Sequence, residues 1–165
     1  MSSTGCLQAG DRRRGFTLIE MIVVVLIVSI LASAAVPLAA LHKRRSQEAE
    51  LRDNLRVLRR ALDSYKAAWD QGRIERTVGA TGYPPDLRIL VDGVRDITRT
   101  DGARIYFMRR LPRDPLAPPQ VPAEQTWGLR SYESPPDAPA PGKDVFDVYS
   151  TAPGTGLDGV PYRQW

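Results

Sequence analysis

The sequence predicts an α+β protein: a long amino-terminal helix, apolar in its first half and amphipathic in its second, packed on a small carboxyl-terminal antiparallel sheet. Three observations carry this prediction. Residues 21–41, MIVVVLIVSILASAAVPLAAL, hold no charged side chain. Leu51, Leu55, Leu58, Leu62, Tyr65 and Trp69 then recur at alternating steps of four and three, the spacing of one helix face. Most of the 14 prolines fall after Tyr83, so the rest of the chain reads as short elements between turns. At 165 residues the chain suffices for one modest domain and an appendage, and is too short for two full domains.

Counting excludes much familiar chemistry. A single cysteine, Cys6, allows no intramolecular disulfide and no multi-cysteine metal site. No apolar signal precedes it, so lipidation is not expected either. One histidine, His42, leaves little material for a metal cluster or a Ser/His/Asp triad. The net charge is +4, but the basic residues flank an apolar segment instead of gathering with aromatics on one surface, so no nucleic-acid partner is expected.

The uncharged run matches the roughly 20 residues that cross a bilayer as a helix. Arg12-Arg13-Arg14 stands before it and His42-Lys43-Arg44-Arg45 after it, so the distribution of positive charge does not orient the span. Three readings stand open: an uncleaved anchor, a cleaved secretory signal, or a leader of another kind. The secretory reading has a candidate site at Ala32-Ser33-Ala34, against an apolar stretch longer than the roughly 7–15 residues usual for such signals. Neither ordinary reading accounts for Glu20, a carboxylate at the edge of the span, where an acidic group needs a partner or a functional reason. It either sits at the headgroup boundary beside the arginines or awaits a cation. A cut between Gly15 and Phe16 creates one, a new amine four residues before Glu20 that is able to pair within its own chain or a neighbour. Pro37, near the end of the span, removes a backbone hydrogen bond and predicts a kink or local unwinding, or a bend that a membrane helix tolerates.

Helix is predicted from about Thr17 to Gln71, with Gly72 as its stop. At 1.5 Å per residue that is roughly 80 Å, too long for a domain of this size to enclose. The apolar stripe of the second half is the core face; it lasts only about three heptads, too few to favour a coiled coil. Glu48, four before Arg52, reads as an exposed-face ion pair. Residues 83–91 predict a short helix opening at Pro85 or Asp86 and stopping at Gly93. Residues 104–111 fit either a helical turn or a strand, ended by Pro112 and Pro115. Strands are predicted at 128–133, 145–150 and 162–165, forming one small sheet against the helix. The expected organisation is 1–15, 16–41, 42–72 and 73–165.

The run Arg12-Arg13-Arg14-Gly15 followed by Phe16-Thr17-Leu18-Ile19-Glu20 resembles the leader of type IV pilins and pseudopilins. That resemblance implies that residues 1–15 are a cytoplasmic leader, that a prepilin peptidase cuts after Gly15 and methylates Phe16, and that Glu20 docks the subunit into a growing filament. It implies a single pass through the bacterial inner membrane, the carboxyl-terminal part in the periplasm, and a flexible joint at Pro37. Leu111-Pro112-Arg113-Asp114-Pro115, Trp127-Gly128 and Asp147-Val148-Tyr149-Ser150 are similar to the pattern of G-type major pseudopilins of type II secretion. A pilin-like fold, self-assembly into a helical filament with other pseudopilins, and dependence on an inner-membrane assembly platform and its ATPase follow from the resemblance. The chain has no phosphate-binding Gly-rich loop of its own. The adhesive pilins usually close a carboxyl-terminal loop by a disulfide that this chain cannot form.

Members of the G-type also bind calcium in an acidic loop, and here the pattern departs. Thr151 to Gly159 offers one carboxylate, whereas calcium takes about six to eight oxygens. Asp158 with Asp147 is the weak calcium candidate, against an ordinary turn cornered at Asp158-Gly159.

The expected role is therefore a structural pseudopilus subunit supporting export, with no cofactor and no catalysis. A type IV pilus or DNA-uptake subunit is the near alternative. A membrane-tethered periplasmic binding module, using loops 77–100 or 117–142, is the alternative of another class. A hydrolase has least support, because Asp144 and Asp147 flank nothing nucleophilic and read as a solvated strand face. The arginines between Arg44 and Arg60 alternate with acids and read as an exposed stalk.

Overall fold

The computed structural model describes residues 15–165, except for the side chains of residues 34–37. Arg12-Arg13-Arg14, Cys6 and the predicted joint at the Pro37 ring lie outside the described residues. The element order is α1 Leu18–Asp70, α2 Ile89–Asp92, β1 Val94–Arg95, β2 Arg104–Ile105, a 3₁₀ turn Ala123–Gln125, β3 Trp127–Arg130, β4 Asp147–Ser150 and a second 3₁₀ turn Tyr162–Gln164. This is the α+β class expected. The chain divides into two compact units, residues 1–42 and 43–165.

In the first unit α1 is apolar and its described side chains are exposed, Leu18 through Ile30 among them. Two serines interrupt the apolar surface, and both turn their hydroxyls back to the helix. Ser29 Oγ donates to the Val25 carbonyl at 2.7 Å and Ser33 Oγ to the Ile30 carbonyl at 2.7 Å. Self-satisfied hydroxyls of this kind are compatible with a hydrocarbon environment.

In the second unit the same helix ends at the glycine the sequence marks. Gly72 adopts φ +70°, its N–H donates to the Trp69 carbonyl at 3.0 Å, and Arg73 N–H donates to the Ala68 carbonyl at 2.9 Å. This pair of bonds is the Schellman closure of a helix on a left-handed residue. The predicted stripe is the core: Leu51, Leu55, Leu58, Leu62 and Tyr65 are buried, and Trp69 packs half-buried beside them. Leu87, Leu90, Trp127, Val145, Val148 and Tyr162 close over that face. Burial of these side chains is the main favourable term, at about 1.5–3 kcal/mol for each fully buried large aliphatic.

The carboxyl-terminal elements differ from expectation in several places. Two two-stranded antiparallel sheets replace the single three-stranded one. β1 pairs with β2 through Val94 opposite Ile105 and Arg95 opposite Arg104, which resolves the ambiguous 104–111 segment as a strand of two residues followed by coil. β3 pairs with β4, Trp127 opposite Ser150 and Gly128 opposite Tyr149. The predicted strand 162–165 is instead a 3₁₀ turn, because Pro161 at φ −57° launches it and Tyr162 turns inward onto the core. α2 starts later than predicted: Asp86 lies three residues ahead of Ile89 and accepts its N–H at 3.0 Å. Gly93 follows as expected, at φ +73°.

Candidate functional site

Gly15, Phe16 and Thr17 are non-helical, and α1 begins at Leu18. The start has a local cause. Thr17 Oγ1 accepts the Glu20 N–H at 3.3 Å, while the Glu20 carboxylate reaches back to accept the Thr17 N–H at 3.4 Å. The Thr17 carbonyl takes the first helical bond, from Met21 N–H at 3.2 Å. This is a capping box, in which two helix-end donors are satisfied reciprocally. A Glu in the first turn also faces the positive end of the helix dipole. Phe16 is 74% exposed, and the Gly15–Phe16 bond lies outside the helix, directly before its cap. The sequence carried the box openly as Thr17-x-x-Glu20. The pairing and docking expected of Glu20 from its place at the membrane edge leave this local role out.

The motifs of the carboxyl-terminal part converge. Asp114 is fully buried; its carboxylate accepts Ser150 Oγ–H at 2.6 Å and Leu116 N–H at 2.7 Å, and its own N–H donates to Thr126 Oγ1 at 3.2 Å. Trp127 Nε1–H donates to the Pro112 carbonyl at 2.9 Å. From the helix, Asn54 Nδ2 donates to the Arg113 carbonyl at 2.9 Å. Residues 111–115, 127–128 and 147–150 thus form one knot that binds β3 and β4 to the second half of α1. The knot is scaffold, since each buried polar group in it is satisfied by another.

Other carboxylates sit differently from expectation. Glu48 does not pair with Arg52 on an exposed face. It is 4% exposed, accepts Tyr162 Oη–H at 2.8 Å and Leu157 N–H at 3.1 Å, and pairs with Arg44 at 3.2 Å. Burial and the neighbouring Glu48 push the Tyr162 hydroxyl up from its usual range, which keeps it a donor. Asp144 is not a solvated strand residue: it is buried and accepts Ser131 Oγ–H at 2.9 Å, Tyr132 N–H at 2.8 Å and the Thr81 hydroxyl. It forms one wall of a cleft of about 320 Å³ over Trp69 and Tyr83.

The two calcium candidates are not brought together. Asp147 Oδ1 pairs with Arg59 Nε at 2.8 Å, and Asp158 Oδ2 pairs with Arg52 at 2.6 Å. Among the described residues no cluster of three or more acidic, histidine or cysteine side chains is arranged to hold a metal. Two carboxylates on two guanidinium partners do not fit a calcium ion, which needs a charged oxygen cage.

Comparison with known proteins accords with both ends of the molecule. Residues 10–36 match the family described as Prokaryotic N-terminal methylation motif. Type II secretion system core protein G of Klebsiella pneumoniae is 31% identical over 158 residues, covering 92% of this chain and 89% of that protein. The chain belongs to the type II secretion system core protein G family. The same protein of Dickeya chrysanthemi is 31% identical over 155 residues, covering 91% of this chain and 81% of its own. Type IV major pilin protein PilA of Myxococcus xanthus is 37% identical over 75 residues, 46% of this chain and 33% of that protein. No solved structure gives a significant match. Membership joins the α+β fold to an apolar helix that, by length and composition, is able to cross a membrane.

Proposed function

We propose that this chain is a structural subunit of a type II secretion pseudopilus. The observation that carries the reading is the open Gly15-Phe16-Thr17 segment standing directly before a capped apolar helix, inside the matched methylation motif. In this reading a prepilin peptidase removes residues 1–15 on the cytoplasmic side and methylates Phe16. Residues 16–41 hold the subunit in the inner membrane and later form the filament core. Residues 42–72 are the stalk, and 73–165 the periplasmic part.

The physical steps follow from the residues. Before the cut, Glu20 is held by its own backbone through Thr17. Cleavage adds a cationic amine at Phe16, one residue outside the box, and gives Glu20 a charged partner in its own or an adjacent subunit. Exchanging lipid for the helices of neighbouring subunits keeps the apolar surface in an apolar environment, so transfer into the filament costs little net hydrophobic energy. Assembly is head-to-tail and open, with one interface repeated along the fibre. The driving energy comes from the platform and its ATPase. The buried carboxylates Asp96, Asp114 and Asp144 serve the fold, each occupied by hydroxyls, backbone N–H groups or an arginine, in keeping with a structural role.

Complementation tests the role. In a host with a type II system deleted for its own G protein, the full chain should restore export and appear in sheared filaments. Glu20→Ala should still be cut and stay in the membrane, with filament yield down about tenfold or more. A processed chain that fails to assemble yet restores export would instead support the tethered binding module. Filaments of Glu20→Ala at the unaltered level would remove Glu20 from assembly.

A further inference from the structure

The family resemblance places a calcium ion in the carboxyl-terminal loop, and the residues of this chain do not accommodate one. We infer that arginines and a glutamate of the second half of α1 hold residues 151–160 where the metal would, so that the loop closes without a divalent cation.

The contacts form a ladder. Arg44, Arg52 and Arg59 stand eight and seven residues apart, about two helical turns each, which keeps them along one side of α1. Arg44 Nη2 donates to the Thr155 carbonyl at 2.5 Å. Arg52 Nη2 donates to Asp158 Oδ2 at 2.6 Å, and its guanidinium lies 4.2 Å from the centroid of the Trp165 ring. Arg59 Nε donates to Asp147 Oδ1 at 2.8 Å and Nη2 to the Val148 carbonyl at 3.2 Å. Between the first two rungs the buried Glu48 reverses the polarity and accepts the Leu157 N–H. Helix α1 therefore supplies donors to the loop's oxygens and an acceptor to its amide.

Within the loop, Gly156 N–H donates to the Val160 carbonyl at 2.8 Å and Val160 N–H to Asp158 Oδ1 at 3.0 Å. Gly159 turns the corner at φ +81°. Gly156 has no room for a side chain, because a Cβ there would stand 2.3 Å from the Trp165 ring. The loop is thus seated flush on an aromatic that Arg52 covers from the helix side.

A calcium ion entering the loop meets the Thr155 carbonyl and the Asp158 carboxylate already bonded to guanidinium groups, with further repulsion from Arg44 and Arg52. Chelators then have nothing to remove. Closure responds to ionic strength instead, because the Arg52–Asp158 pair is partly exposed and screened by salt. The calcium expectation comes from family membership, but closure of the loop is independent of whether residues 1–15 are cut, so this inference and the filament reading fail separately.

Amide hydrogen exchange and thermal melts of the full chain in detergent, with excess EDTA and with millimolar calcium, test the inference. The same melting temperature within about 1 °C and the same protection at Gly156, Leu157 and Val160 are expected in both. Calcium raising the melting temperature by about 4 °C or more, or EDTA stripping protection from those three amides, would overturn it. The double variant Arg44→Gln/Arg52→Gln should lose about tenfold or more of their protection while the β3–β4 amides keep theirs. Unchanged loop protection in that variant would equally overturn the inference. The calcium and EDTA comparison on the unaltered chain stands whether or not the double variant folds.

Discussion

Asp96 is 1% exposed and accepts the Thr98 hydroxyl, the Thr98 N–H and the Arg73 guanidinium. Those donors, the Thr98 hydroxyl foremost and Arg73 next, outweigh burial and lower its carboxyl from 3.8 to about 2. A carboxylate whose folded value lies below its unfolded one stabilises the fold fully above the unfolded value and loses that contribution as pH falls towards the folded value. Between about pH 5 and pH 2, melting temperature should therefore fall more steeply for the unaltered chain than for Asp96→Asn, which starts lower; equal slopes would show that Asp96 is not the responsible group. At this scale the sequence was legible where partners are local. Thr17-x-x-Glu20 names its own box. Glu48 was misread because spacing reveals only neighbours on the same helix, while Tyr162 and Leu157 arrive from more than a hundred residues away.

Elements were legible in proportion to their length. The stripe from Leu51 to Trp69 spans five turns, enough for the 3.6-residue period to declare the buried face. β1 and β2 hold two residues each, too few to display any alternation, and are fixed by tertiary bonds instead. Phe107 N–H donates to the Leu90 carbonyl at 3.0 Å and ties the segment after β2 to α2. Between α2 and β1, Gly93 combines φ +73° and ψ 168°, a region essentially reserved for glycine. A Cβ there would stand 2.7 Å from the Ile105 carbonyl oxygen. Gly93→Ala should therefore destabilise the fold by about 1–3 kcal/mol, read by denaturant unfolding of the full chain in detergent. A loss below about 0.5 kcal/mol would show that the α2–β1 junction relaxes freely. The segment 162–165 was misassigned because its aromatic ends mimic strand composition, while Pro161 and the core pocket for Tyr162 favour a turn.

For the whole molecule, the amino-terminal half of the design is written in composition and short motifs, because a membrane span and a helix cap are local in sequence. The carboxyl-terminal half is written in long-range contacts. Asp114 with Ser150, Trp127 with Pro112, and the arginine ladder on the loop become visible only when the chain folds. The motif residues 111–115, 127–128 and 147–150 could be recognised as a set, but their purpose as one polar knot could not. In the proposed reading the Gly15–Phe16 bond is the processing site, and everything after it is the working subunit. Intact mass and amino-terminal peptide mapping of the protein, recovered from membranes of a host supplying a prepilin peptidase, test it most directly. An N-methylated Phe16 terminus is the predicted result. A terminus at Ala35, or an uncut chain still carrying residues 1–15, would contradict it.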